Sequence, residues 1–150
     1  MNTFIYEFTG NNILKAAFFG WLSAQILKTI IYVIVNKEFV FERLIGDGGM
    51  PSSHSATVMS MVTAVAYDCG VGSPIFAVAF VFAIIVMHDA MGVRRETGKQ
   101  AVAINNIMEY FSEMGKQPPE IQLKEFVGHS PFQVMMGAIL GLIIGIIVCG

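Results

Sequence analysis

A chain of 150 residues with a formal net charge of −2 and only 13% charged residues carries about half the charge of an ordinary soluble domain, which holds about 25%. With 55% hydrophobic residues and a mean hydropathy of +0.65, it reads as a membrane protein of one domain, residues 1–150. The acidic balance excludes a nucleic-acid partner, which calls for a basic face. Cys69 and Cys149 stand far apart, so neither a disulfide nor a metal-ligand pattern is expected of them.

Residues Met1 to Asn12 are mixed in character and suit the membrane interface. Glu7 precedes any basic residue and the apolar run that follows is long, so this start does not read as a signal peptide. Ile13 to Val35 is apolar apart from Gln25 and Lys28 and is long enough for a first span. Gln25 is expected to hydrogen-bond between helices. Asn36 to Met50 is a polar connection. Gly48-Gly49-Met50-Pro51-Ser52-Ser53-His54-Ser55-Ala56 then reads as a tight turn opening a helix: glycines for close backbone approach, proline for a first turn, serines to cap it.

Ser53 to Tyr67 is the second helix, short for a span and by itself compatible with an internal helix. A turn at Asp68 to Pro74 leads to a third apolar run, Ile75 to Met87, which ends in His88-Asp89. From Gly92 to Met114, Ile104, Ile107, Met108, Phe111 and Met114 recur at three- and four-residue spacing. That is an amphipathic helix, lying on the membrane surface or over the bundle. Pro118-Pro119 should end it, and Glu120 to Val127 reads as a short helix or turn. Gly128-His129-Ser130-Pro131 repeats the glycine, histidine, serine and proline theme before the last span, Phe132 to Val148. There Gly137, Gly141 and Gly145 allow close helix packing. The expected fold is all-α, a membrane bundle of about four spanning helices with an amphipathic helix between the third and fourth.

Alternating spans bring Lys28, His54, His88, Asp89, Arg94, Arg95 and His129 to one membrane side. Lysines and arginines there can merely orient the chain, and that places this side in the cytoplasm. Orientation does not explain all three histidines on the same side. Free N–H groups at helix starts attract anions, and histidine moves protons near neutral pH. The residues themselves thus indicate a phosphate-handling site at a membrane surface.

Pro51-Ser52-Ser53-His54, the run from His88 to Ala101 containing Gly92-Val93-Arg94-Arg95-Glu96-Thr97-Gly98-Lys99, and Gly128-His129-Ser130-Pro131-Phe132-Gln133-Val134 resemble the type 2 phosphatidic acid phosphatase and vanadium haloperoxidase superfamily, in its divergent bacterial and plastid branch. The resemblance covers nearly the whole chain. It implies metal-independent hydrolysis of a phosphate ester or diphosphate, through a phosphohistidine and without a cofactor. His129 matches the nucleophile and His54 the acid that protonates the leaving oxygen. Lys28, Ser53, Arg94 and Arg95 match the groups that hold phosphate oxygens. The implied substrate is a lipid of the cell membrane: phosphatidylglycerophosphate, phosphatidic acid or a polyprenyl diphosphate. The family's Arg-Pro pair is absent, and its arginine close before the nucleophile is replaced by the distant Arg95. Gln133 stands where the family has the aspartate that orients the nucleophile, so either Asp89 or Glu125 supplies that charge, with Asp89 preferred, or catalysis is slow.

Two other readings stand beside this one. The first is a catalytically weak or inactive phospholipid-binding protein that keeps the pocket, favoured by Gln133. The second is a zinc site or small transporter built from His54, His88, Asp89 and His129, disfavoured by the neighbouring arginines. The sequence leaves the oligomeric state open, a homo-oligomer included.

Overall fold

Small polar residues cap four of the described helices, but the helix at Val93 begins at Gly92 without a side-chain cap, and Pro51, expected in a first turn, stands one residue before the cap Ser52 and so outside the helix it precedes. The computed structural model describes residues 2–44, 46, 48–116, 123 and 128–150. Six α-helices follow in order: α1 (Asn2–Gly10), α2 (Asn12–Asn36), α3 (Ser53–Cys69), α4 (Pro74–Met91), α5 (Val93–Glu113) and α6 (Pro131–Cys149), with a 3₁₀ turn at Phe41–Leu44. Asn11, Ser52, Ser73 and Ser130 cap α2, α3, α4 and α6, each accepting a backbone N–H three residues on. Pro74 and Pro131 occupy the first turns of α4 and α6, where the missing N–H is harmless.

Among the described residues three helices are long and apolar enough to cross a bilayer: α2, the α4 portion of Pro74–Glu113, and α6. The remaining expected span, α3, is instead the helix they surround, packed on α6, α2 and α4. Enclosure explains its composition. It meets neighbours rather than lipid on most sides, so it needs small side chains more than apolar ones. Its hydroxyls bond its own backbone, Ser60 Oγ to the Ala56 carbonyl at 2.8 Å and Thr63 Oγ1 to the Met59 carbonyl at 2.8 Å.

Close approach sets the register. A Cβ at Gly137 would strike Ser52 and Ser55, one at Gly141 Ala56 and Met59, and one at Gly145 Ser60 and Thr63. Both numbers climb together, so α6 runs parallel to α3. A Cβ at Gly20 would meet Ala56 and Ser60, while Lys28 lies against Gly49, so α2 runs antiparallel to α3. Val58, Val62 and Val65 pack with Ala79 and Ala83 in the core between α3 and α4. The end of α4 reaches the start of α6, where the His129 N–H donates to the Ala90 carbonyl at 2.9 Å. The ends of α2 and α4 and the starts of α3 and α6 therefore share one end of the bundle, as alternating spans require.

The amphipathic helix is α5, which packs against the end of α4 and buries only Gly98 and Ala101. Its apolar stripe, Ile104, Ile107 and Phe111, is exposed. This suits a helix at the membrane surface better than one laid over the bundle. Asn105 clamps the returning chain twice: its Nδ2 donates to the Leu123 carbonyl at 2.9 Å and its Oδ1 accepts the Leu123 N–H at 3.0 Å. The expected stop at Pro118-Pro119, the short element over 120–127 and the candidate Glu125 lie outside the described residues. The mixed N-terminal residues form α1, with Phe4, Tyr6 and Phe8 exposed.

Candidate phosphate site

One half of the site is the turn entering α3. Gly49 has a φ of +82°, and a Cβ there would lie 3.0 Å from the Lys28 side chain. Glycine thus lets the lysine stem pass beneath the loop. Lys28 is only 3% exposed, and its Nζ donates to the Gly46 carbonyl at 2.8 Å. Ser52 Oγ accepts from the Ser55 N–H at 3.4 Å and from Ser55 Oγ at 3.1 Å. Ser53 is buried in the first turn, and half-buried His54 follows it.

The other half is the turn entering α6. The Ser130 hydroxyl accepts from the Gln133 N–H at 3.3 Å, and Gln133 Oε1 accepts from the Ser130 N–H at 2.9 Å. This reciprocal pair is a capping box. Gly128 has a φ of +91°, and a Cβ there would strike the backbone of Arg94 and Arg95. The loop is therefore seated on the α4–α5 junction, and the bond from His129 to Ala90 fixes its next residue. The two halves are tied directly by the Ser52 N–H donating to the Gln133 carbonyl at 3.1 Å.

These ties bring the two imidazoles together. His129 is 2% exposed, and its ring centre lies 5.8 Å from that of His54, with the planes at 63°. Two capped helix starts and a buried lysine converge at this end. Such an arrangement attracts an anion through free N–H groups and the positive helix ends.

Asp89 precedes the carbonyl that anchors His129, and its Oδ2 pairs with Arg94 Nε at 3.3 Å on the half-exposed edge. The Arg95 backbone supports Gly128, while its side chain is exposed. His88, in the last turn of α4, is exposed. Among the described residues no three His, Cys, Asp or Glu side chains come together in a way that would hold a metal ion. Cys69 and Cys149 are both free thiols.

Two features were not legible as site elements in the sequence. The Ala90 carbonyl is a backbone group with no side-chain signature. The capping box is written in Ser130-x-x-Gln133, but the resemblance directs attention to Gln133 as a replaced aspartate, which masks its local bond. Gln25, expected to bond between helices, is 3% exposed, and its Oε1 has no hydrogen-bond partner among the described residues.

The pattern of the divergent PAP2 family matches residues 9–144. An uncharacterized membrane protein of Bacillus subtilis (strain 168), YuiD, is 37% identical over 83% of this chain and 85% of its own length. No solved structure matches.

Proposed function

The chain belongs to the divergent PAP2 family and is a membrane protein, and from that premise we propose that it is a lipid phosphatase working through a phosphohistidine. The observation that carries the proposal is the pair of rings, His54 and His129, 5.8 Å apart at the shared end of two capped helices. That spacing lets both imidazoles touch one phosphate group.

In this mechanism neutral His129 attacks the terminal phosphorus and its bond to the leaving oxygen breaks, an alkoxide departing from a monoester and a polyprenyl monophosphate from a diphosphate. Protonated His54 gives its proton to the departing oxygen. Water then attacks the phosphohistidine, the P–N bond breaks, and His54 takes the water's proton as inorganic phosphate leaves. Phosphoryl transfer asks mainly for positioning and neutralised charge. Lys28, Ser53 and the helix starts supply these from within, and Arg94 and Arg95 from the edge. Asp89, expected to supply the charge missing at Gln133, pairs instead with Arg94 and holds that guanidinium at the edge, while Gln133 fixes the His129 loop through its cap. The substrate is a phospholipid monoester or polyprenyl diphosphate in the cell membrane, met from the cytoplasmic face.

The test is phosphate release by the purified protein from phosphatidylglycerophosphate, phosphatidic acid and a polyprenyl diphosphate. Release by wild type with background release by His129→Ala, and an acid-labile phosphoenzyme in wild type alone, is the expected result. Equal release by both proteins rejects the nucleophile. The capping-box role of Gln133, which leaves an amide where the family has a carboxylate, favours a second reading: a phospholipid-binding protein without turnover. Saturable lipid binding with no release from any of the three would establish it.

A further inference from the structure

Gln25 and Thr29 are the buried polar residues of α2 that the proposed chemistry does not use, and Gln25 is the one whose side-chain oxygen has no donor among the described residues. It lies one turn before Lys28, 3% exposed, with its Oε1 buried and unbonded among the described residues. The antiparallel register sets its depth. Gly20 faces Ala56 and Ser60 while Lys28 faces Gly49, so Gln25 stands level with the first turn of α3, the turn that carries Ser53 and His54. The neighbouring Thr29 hydroxyl donates to the main-chain carbonyl of Gln25 at 2.8 Å, not to the side chain. A buried carbonyl oxygen without a donor is costly in a membrane bundle. A methionine of similar size would fill the space without that cost.

We infer that Gln25 accepts a hydrogen bond from a hydroxyl on the alcohol side of the bound phosphate. The substrate is then a lipid phosphate monoester with a free hydroxyl beside its phosphate-bearing carbon. This rests on the phosphatase reading for where the phosphate sits. A lipid keeps its charged group at the polar end and sends its chain toward the hydrocarbon. Three residues of helix rise is about 4.5 Å, so the first atoms beyond a phosphate at Lys28 come level with Gln25. Phosphatidic acid and polyprenyl diphosphates offer no hydroxyl there, so this contact discriminates among the candidate lipids.

The test compares lysophosphatidic acid with its 2-deoxy analogue, which lacks only the hydroxyl next to the phosphate-bearing carbon. Native mass spectrometry of the full chain in detergent, with His129→Ala as the common background so that neither lipid is cleaved and the chain with Gln25 serving as wild type, reads the ratio of the two lipids retained. Wild type should favour the hydroxylated lipid about tenfold, the effect of one buried hydrogen bond, and Gln25→Met should bring the ratio near one. Thermal unfolding of the lipid-free protein is the second readout. Removing an amide oxygen that no donor meets leaves Tm unchanged or raises it, whereas removing an interhelical bond to it lowers Tm. Equal retention of the two lipids by wild type, as a bound water at Gln25 would produce, overturns the assignment. So does a ratio preserved in Gln25→Met. Binding needs no turnover, so a hydroxyl preference without phosphate release sinks the phosphatase reading alone. Phosphate release without the preference sinks only the role given to Gln25.

Discussion

His54 and His129 have similar neighbours in the sequence but different surroundings in the fold. His129 is buried and pinned through its backbone to Ala90, whereas His54 is half-buried in the first turn of α3. A nucleophile gains from fixed geometry, and an acid must exchange protons with substrate and solvent. The roles separate by leaving group. His54→Ala should lower release from an alkyl phosphate by about 10²–10⁴-fold and from 4-nitrophenyl phosphate far less, because nitrophenolate departs without a proton. His129→Ala should abolish both, and steady-state phosphate release on the two substrates decides. The histidines and their serine caps were legible because capping and proton chemistry are properties of single side chains. The bond from Gln133 to Ser130 was not, because its spacing also fits a displaced aspartate. At a helix start the Ser130 N–H has no intrahelical partner, and the nearest acceptor three residues on takes it. Gly128 shows the same limit from the other side. Its place in the motif was visible, but its reason is the Arg94–Arg95 backbone beneath it. Gly128→Ala combines a disfavoured φ, worth about 1–3 kcal/mol, with a direct clash. It should lower Tm and displace His129, so that phosphate release falls with it.

The long helices and the serine caps of α3 and α6 were readable in the sequence, whereas α1 and the caps Asn11 and Ser73 were not, and the one expected span that is not apolar enough to cross is informative. Apolar runs report contact with lipid, so α2, α4 and α6 announced themselves as spans. The central helix, α3, is dominated by small residues and hydroxyls because its neighbours are helices, and no hydropathy pattern distinguishes that from a short span. What holds it is shape. Inside a bilayer, helices gain little from hydrophobic association and rely on close packing, which Gly137, Gly141 and Gly145 permit along the whole contact with α3. Gly141→Leu should therefore separate α6 from α3 at mid-length, where a Cβ already strikes Ala56. Overpacking of this kind costs about 1–3 kcal/mol, seen as a lower Tm and a loss of the dispersed form in detergent. Ser130→Ala removes one half of the capping box, a loss of about 0.5–2 kcal/mol. Its effect on phosphate release should exceed its effect on Tm, because the same turn carries His129.

At the scale of the molecule, the decisive property is polarity along the bundle axis. With α2 and α4 running toward the site and α3 and α6 running away from it, every group assigned to phosphate chemistry lies at one end. Cys69 and Cys149 close α3 and α6 at the other. The topology followed from the number and direction of the apolar runs. The separation of rings to 5.8 Å did not, because it depends on how the Gly128 loop seats on the α4–α5 junction, a contact between segments distant in the chain. The two ends also give the orientation a direct readout. An active end on the cytoplasmic side places Cys69, which is exposed, on the outer side. In a Cys149→Ser background, a membrane-impermeant maleimide added to intact cells should label Cys69 fully. A cysteine introduced at exposed Lys37, next to the end of α2, should label only after the membrane is opened. The reverse pattern would put the site on the outer face. The lysines and arginines around it would then serve the phosphate rather than the orientation of the chain.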